Sequence, residues 1–185
     1  MLKSYNYFGN YIQNQLPHTY ILMRLPISLI SKNYEDHFKS KIKKYKLPIK
    51  IRRAKEIDIE STYFIHREST LKSDDLYSQI TIEALNRSYK DYGATIFIAS
   101  FKDIDVGFII LEFEGDVEEY GVVSGINVLP QYQHRGIGKR LCLSAWNYFK
   151  QKDIIEIRCE VCLKNYLSYT LVKTLGFEEY RILYY

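Results

Sequence analysis

Apolar residues recur along the chain in two rhythms, one typical of strands and one typical of helices. Alternating or β-branched runs predict strands at 49–52, 95–101, 106–113, 118–128, 154–161 and 177–185. Apolar positions three and four residues apart predict helices at 57–68, 74–89, 136–150 and 165–175, and Asp74 is expected to cap the second helix. From residue 49 the order is β-α-α-β-β-β-α-β-α-β. This order predicts an α+β fold with a mixed sheet flanked by helices, rather than a doubly wound parallel sheet.

Residues 1–48 follow a different pattern and are expected to form an extension to a domain at 49–185. The segment 20–29 predicts a strand or a buried stretch, and 33–45 predicts a charged helix. The pair Leu47-Pro48 is the expected boundary, because a residue before proline tends to leave the helical region. The sequence leaves open whether the extension covers a site, extends the sheet or mediates a homodimer.

Charge is unevenly divided between these two parts. Residues 1–50 hold nine Lys and Arg against two Asp and Glu, whereas residues 51–185 hold 17 against 20. Five lysines cluster in the extension, at Lys39, Lys41, Lys43, Lys44 and Lys46. A solvated helix face is the favoured interpretation of this cluster, and contact with an acidic partner or nucleic acid is the less favoured one.

The composition is that of a globular protein, with 46% hydrophobic and 26% charged residues in 185. Three cysteines form no even disulfide framework, which favours a reducing compartment. No signal peptide or membrane-spanning run is visible, so the protein is expected in the cytoplasm. Cys159 and Cys162 have CxxC spacing without a second ligand pair, so they are interpreted as ordinary strand cysteines and no metal is expected.

A glycine motif, Gln133-His134-Arg135-Gly136-Ile137-Gly138, separates a predicted strand from a predicted helix. A helix N-terminus carries unpaired N–H groups and about +0.5 of partial charge, which makes it an anion site. The motif therefore predicts a phosphate-bearing cofactor. It lies late in the chain and has Leu141 where a dinucleotide fingerprint has its third glycine, and the chain contains no Walker loop.

Residues 128–141 closely resemble the acetyl-CoA signature of the GCN5-related N-acetyltransferases, with Gln133, Gly136 and Gly138 at its defining positions. Residues 165–177 look like the second motif of that family, which ends in the pair Gly176-Phe177, and 98–107 is similar to its central hairpin. The resemblance covers about residues 49–185. It implies a GNAT-like, mostly antiparallel sheet and an enzyme that moves an acetyl group from acetyl-CoA directly to a primary amine in a ternary complex.

The resemblance also implies where acetyl-CoA binds. The strands at 118–128 and 154–161 splay apart, and the pantetheine arm lies between them. The backbone of Ile126 and Val128 pairs with the arm, amides from His134 to Lys139 hold the pyrophosphate, and Asn165 contacts the arm. The full expected set is Ile126, Val128, Gln133, His134, Arg135, Gly136, Ile137, Gly138, Lys139 and Asn165.

The catalytic groups are less determined by the sequence. Glu118 or Glu119 is the candidate base, and strand alternation would send them to opposite faces. Proton relay through water from Ser124 and Asn127 is the alternative. The family often has an acidic tyrosine at the position of Val172, so Tyr169, one turn earlier, is the candidate acid, with Tyr166 or a packing role for Tyr169 as alternatives.

An acidic run marks the expected acceptor side of the domain. It comprises Glu112, Glu114, Asp116, Glu118 and Glu119. It favours a cationic acceptor, such as a polyamine, an amino sugar, a protein lysine or a peptide N-terminus, although an exposed hairpin tip explains it as well. The second function considered is a non-catalytic acyl-CoA-binding module that engages a partner through its basic N-terminal segment.

Overall fold

A computed structural model describes residues 19–71 and 80–184. The strands are β1 (Thr19–Pro26), β2 (Ile49–Arg53), β3 (Thr95–Phe101), β4 (Ile104–Glu114), β5 (Tyr120–Val128), β6 (Glu156–Cys162) and β7 (Glu178–Tyr184). The helices are α1 (Lys32–Lys43), α2 (Ile59–Thr70), α3 (Ile82–Lys90), α4 (Ile137–Phe149) and α5 (Tyr166–Thr174). The predicted α+β class and the predicted element order from residue 49 are confirmed.

The strands form one sheet in the order β2-β3-β4-β5-β6-β1-β7. Neighbouring strands are antiparallel except β5 and β6, which run parallel. β1 pairs with β6 on one side and with β7 on the other, so residues 19–26 lie inside the sheet. The described part of the extension therefore extends the sheet, and the boundary at residue 48 stays a prediction.

Helices cover both faces of the sheet and divide the core into two layers. On one face, α2 and α3 pack on β3 and β4 through residues such as Ile65, Leu85 and Ile98. On the other, α1, α4 and α5 surround Phe38 and Leu141. Since both faces are covered, β4 is a nearly continuous apolar run rather than an alternating one.

Side-chain caps fix where three helices begin. The Ser31 hydroxyl accepts from the Tyr34 N–H at α1, the Thr81 hydroxyl from Ala84 N–H at α3, and the Asn165 side chain from Ser168 N–H at α5. Thr81 is extended, so α3 begins at Ile82, and positions 74–79 of the helix predicted at 74–89 lie outside the described residues. Its predicted cap, Asp74, lies outside the described residues.

Within residues 19–71 and 80–184, no helix combines the length and the apolar character that crossing a membrane requires.

Candidate functional site

Strands β5 and β6 separate partway along their length. They pair at four positions, from Tyr120 with Glu156 to Val123 with Cys159, and β5 then continues to Val128 paired only with β4. Residues 124–128, here called the free edge, thus have β4 on one side and no described strand on the other. Unpaired backbone groups on a strand accept an extended ligand that carries amides, as an added strand would.

A β-bulge lies at the start of the free edge. Ile110 of β4 pairs with Gly125 and Leu111 pairs with Val123, so Ser124 is the extra residue of β5. The bulge bends β5 where its pairing with β6 ends. It leaves Val123 and Ile126 packed on the α1/α4/α5 face, whereas the Asn127 side chain reaches Ser69 of α2 on the opposite face, at 2.9 Å.

The free edge leads into the glycine motif and the start of α4. His134 and Gly136 both have positive φ, of 58° and 75°. Gly136 is the N-cap residue of α4, so no side chain caps the helix, and its first turn holds no acidic residue. The first N–H groups of α4 are therefore left without a side-chain acceptor, which is the arrangement of an anion site. The loop 129–136 and this first turn are here called the phosphate end.

The two glycines of the motif differ in how much space their surroundings leave for a side chain. A Cβ on Gly136 would lie 2.4 Å from Cδ2 of Tyr45, and the residue is left-handed, so both space and backbone require glycine. A Cβ on Gly138 would lie 3.5 Å from Leu171 Cδ2 and 3.9 Å from Ile126 Cδ1, which are ordinary contacts. Gly138 thus marks the place where α4, the free edge and α5 meet.

The basic extension reaches the phosphate end. The Arg140 guanidinium donates to the backbone carbonyls of Tyr45 and Leu47, both at 2.7 Å. The ammonium groups of Lys44 and Lys139 lie 5.3 Å and 5.8 Å from the centre of the Tyr45 ring. The lysine cluster therefore ends beside the glycine motif and adds positive charge there.

Two predicted cofactor residues also have local structural bonds. The Gln133 amide donates to the Val128 carbonyl at 3.0 Å, which ties the loop to the end of β5. Asn165 caps α5 through its side-chain oxygen. The Arg135 guanidinium lies over the Tyr132 ring, 5.9 Å from its centre. The structure brings Ile126 of the free edge, Gly138 of the glycine motif and Leu171 of α5 together.

A carboxylate that the expected catalytic set omits lies next to the bulge. Glu112 of β4 accepts hydrogen bonds from the Ser88 hydroxyl of α3, at 2.6 Å, and from the Ser124 hydroxyl. Ser88 and Ser124 are buried. We call Ser88, Glu112 and Ser124 the acceptor end. In the sequence, Glu112 is the single carboxylate within the apolar run of β4. On sequence alone it groups with the acidic residues of the hairpin tip and is not identified as a separate site residue.

Burial affects a second carboxylate on the same face. Glu114 lies two residues beyond Glu112, so strand alternation puts both on one side of β4. Burial raises the pKa of Glu114, the charge of Glu112 raises it further, and the positive charge of Arg158 opposes both. The α2/α3 face thus presents paired carboxylates with one facing guanidinium.

The predicted bases lie at a distance from the free edge. Glu118 is exposed with a φ of 57°, and Glu119 accepts from the Val117 N–H at 3.2 Å, so both belong to the β4–β5 turn. The strand begins at Tyr120, so the expected alternation of the two glutamates within it is wrong. Glu119 is five positions before Ser124, which is about 16 Å along a strand.

The candidate acid is engaged by a partner from β7. The Tyr169 hydroxyl donates to the Glu179 carboxylate at 2.5 Å, and this bond raises the pKa of the phenol. Val172, at the family's tyrosine position, is buried. Tyr166 is 77% exposed.

The CxxC cysteines lie apart from one another. Cys159 packs in the core layer with α4 and α5, and Cys162 packs with Tyr20 and Leu183 in a separate cluster. A strand sends residues three apart to opposite faces, which explains the separation.

Comparison with known proteins agrees with this geometry. The profile of the acetyltransferase (GNAT) family matches residues 55–177, and the chain belongs to this family. No curated protein matches the chain.

Solved structures with the same fold include PaiA N-acetyltransferase from Thermoplasma acidophilum in complex with coenzyme A. It is 23% identical with a TM-score of 0.58, over 68% of this chain and 87% of that one. Aminoglycoside N-acetyltransferase AAC(6')-Iy in complex with CoA is 19% identical, with a TM-score of 0.60 over 74% and 93% of the two chains. An aminoglycoside acetyltransferase from a soil metagenome, bound to sisomicin, is 18% identical, with a TM-score of 0.60 over 78% and 97%.

Proposed function

We propose that the protein is an acetyl-CoA-dependent N-acetyltransferase that moves the acetyl group directly to a primary amine in a ternary complex. The observation that carries the proposal is the free edge of β5 running into the uncapped start of α4. An arm with amide groups fits the first, and a pyrophosphate fits the second. Membership of an acetyltransferase family supports the same ligand.

In this proposal the chain holds acetyl-CoA mainly by its backbone. Amides from His134 to Lys139 receive the pyrophosphate, with Arg135 and Lys139 adding positive charge. The arm lies along the free edge and pairs with the backbone of Ile126 and Val128. Gln133 acts by fixing the Val128 carbonyl, and Asn165 by fixing the start of α5 beside the arm.

The chemistry needs a group that removes a proton from the acceptor. As the amine nitrogen bonds to the acetyl carbon, the carbon–sulfur bond breaks and the ammonium proton must leave. We propose that Ser124 receives this proton and passes its own to Glu112, which already accepts from that hydroxyl. Glu118 and Glu119 remain alternative bases, and Tyr169 remains the candidate that returns a proton to the CoA thiolate.

The acceptor we propose is a cationic amine. Glu112 and Glu114 on the α2/α3 face attract positive charge. Structural neighbours include enzymes named for aminoglycosides, which are polycationic amino sugars. A polyamine, a protein lysine or a peptide N-terminus has the same chemistry. Reduced cysteines and buried thiols are consistent with a cytoplasmic enzyme.

Thermal melting with CoA, acetyl-CoA or NAD tests the cofactor. A ligand that binds only the folded chain adds about 2.7 kcal/mol at a hundredfold excess over its dissociation constant. We expect CoA and acetyl-CoA to raise the midpoint and NAD to leave it unchanged. Thiol release from acetyl-CoA with spermidine, sisomicin and a lysine peptide then tests transfer. The absence of any shift with CoA and acetyl-CoA would refute the proposal.

The second candidate function is a non-catalytic acyl-CoA-binding module. Val172 in place of a tyrosine and the bond from Tyr169 to Glu179 favour it, because Val172 has no proton to give and the Tyr169 hydroxyl already has a partner. CoA binding without transfer to any amine and without slow thioester hydrolysis would support this alternative. Its basic segment beside the phosphate end is then the surface to test for a partner.

A further inference from the structure

An apolar cavity lies on the α1/α4/α5 face beneath the point where β5 and β6 separate. Val123 and Ile126, on either side of the bulge, line it at the free edge. Ile157, Leu25 and Phe177 line it farther in. Ile157 pairs with Gly121, within the closed part of the two strands. The cavity therefore begins at the free edge and continues past the last pair of β5 and β6.

Two helices close the sides of this cavity. Cys142 and Ala145 line it from α4, and Ser168 and Leu171 line it from α5. Leu171 is also the residue that a Cβ on Gly138 would touch. The cavity is thus continuous with the path proposed for the pantetheine arm.

The residues that line the cavity are uncharged as well as mostly apolar. Burial raises the pKa of the Cys142 thiol to about 12 and raises the pKa of Cys159 as well, so both sulfurs stay protonated. Buried thiols of this kind behave as small apolar groups and not as nucleophiles. An apolar cavity of this type stays dry and takes hydrocarbon in preference to water.

The size of the cavity sets how much hydrocarbon it admits. Its volume is about 50 Å³. On the same scale one water-sized group needs about 10–15 Å³, so roughly three to five methylene-sized groups fit. An acetyl group on an arm that ends at the bulge would leave most of this space empty.

We propose that this cavity receives the alkyl chain of acyl-CoA donors longer than acetyl, with the best fit near hexanoyl-CoA. The inference rests on the proposed function, because it takes the arm to lie along the free edge. The thioester then sits beside Ser124 with its carbonyl at the free edge. The alkyl chain points under the closed part of β5 and β6, between α4 and α5.

Calorimetric titration with CoA, acetyl-, butyryl-, hexanoyl- and octanoyl-CoA tests the inference without knowledge of the acceptor. Each methylene that enters the cavity contributes roughly a threefold to fourfold gain in affinity. We expect the dissociation constant to fall from acetyl-CoA to hexanoyl-CoA by more than about tenfold, and octanoyl-CoA to gain nothing further because the cavity is then full.

A larger side chain on α4 that fills the cavity provides a test variant, and the same helix offers a matched control. Ala145→Leu puts a branched side chain into the cavity, and Asn147→Leu puts the same side chain at an exposed position of the same helix. Ala145→Leu should bind CoA and acetyl-CoA as the parent does and lose the gain for hexanoyl-CoA, whereas Asn147→Leu should keep it. If Ala145→Leu does not melt cooperatively, Ser168→Val fills the cavity from α5.

The outcomes separate this inference from the proposed function. Loss of all CoA binding in the parent protein overturns both. Tight binding of CoA and acetyl-CoA with equal or weaker binding of hexanoyl-CoA overturns the inference alone. A hexanoyl-CoA gain that survives in the filled, folded variant also overturns it, because the chain must then lie elsewhere.

Discussion

The two ends of the free edge are built in opposite ways. The phosphate end is a contiguous stretch of sequence that offers backbone N–H groups, with a glycine at 136 where a side chain would meet Tyr45. The acceptor end consists of side chains from α3, β4 and β5, brought together only by the sheet. We expect the phosphate end to keep its ligand when neighbouring side chains change, but not when a negative charge is placed among its N–H groups. The acceptor end depends on three residues far apart in sequence.

The largest expected effect tests the phosphate end. Gly138→Glu places a carboxylate where a pyrophosphate is proposed, and like charges at such close range cost several kcal/mol, so CoA affinity should fall at least about 100-fold. Gly138→Ala is the control, because a Cβ there makes only ordinary contacts. Calorimetry with CoA measures both. If folded Gly138→Glu bound CoA with the affinity of the parent protein, this loop would not be the cofactor site.

The next effect tests the acceptor end through turnover. Glu112→Gln keeps the shape of the side chain but cannot take a proton, so kcat should fall by about 100-fold or more with any amine that the enzyme accepts. Its rate should also lose the rise with pH that a general base gives.

Glu119→Gln is the matched comparison, since Glu119 lies in the β4–β5 turn. We expect it to change kcat little. A large loss in Glu119→Gln with a small loss in Glu112→Gln would restore the turn glutamates as the base and contradict the role of Ser124.

The contrast between the two ends also explains what could be predicted from the sequence. The periodicity of apolar residues predicted most elements from residue 49 to within two residues of their observed ends, because periodicity is a local signal. The phosphate end is equally local, since one continuous stretch of sequence carries it. Ser88 and Glu112 are 24 residues apart, and only the sheet shows that they are bonded.

The sequence could not predict features that depend on contacts between residues far apart in the chain. The segment 20–29 shows its strand character in its sequence, but the position of β1 between β6 and β7 depends on partners 130 or more residues away. Glu118 and Glu119 looked like strand residues, yet a positive φ at Glu118 places them in the turn. Helix spacing makes Tyr169 the candidate acid, but the bond from its hydroxyl to Glu179 of β7 is seen only in the fold.

A pair of arginines sharpens the description of the phosphate end. Arg140→Ala removes two charge-assisted bonds to the backbone at Tyr45 and Leu47, which should lower stability by about 1–3 kcal/mol. Arg135 is exposed and over Tyr132, so Arg135→Ala should leave the melting temperature nearly unchanged and weaken CoA binding severalfold. Melting curves and CoA titrations of both variants check this. The reverse pattern would mean that Arg140, not Arg135, faces the phosphates.

The smallest expected effect concerns Glu114. Its folded-state pKa is raised, so its contribution to stability is present at low pH and is lost as pH rises through that folded value. Glu114→Gln should therefore raise stability at pH 7 by less than about 1 kcal/mol and have no stabilising effect near pH 4. Denaturant titrations at both pH values measure the difference. A loss of stability at pH 7 would show that Arg158 stabilises the charged form.

The position of β1 has a consequence for how the chain reaches its fold. β7 pairs with β1 alone among the described strands, and β6 and β7 are joined only through it. During synthesis, residues 19–26 leave the ribosome long before their partners at 156–184 exist. Because long-range pairings form late and leave strand edges exposed meanwhile, the nascent chain must keep this apolar segment unpaired until residues 156–184 have been made. The synthesis of β6 and β7, and not the emergence of β1, therefore starts the closure of this side of the sheet.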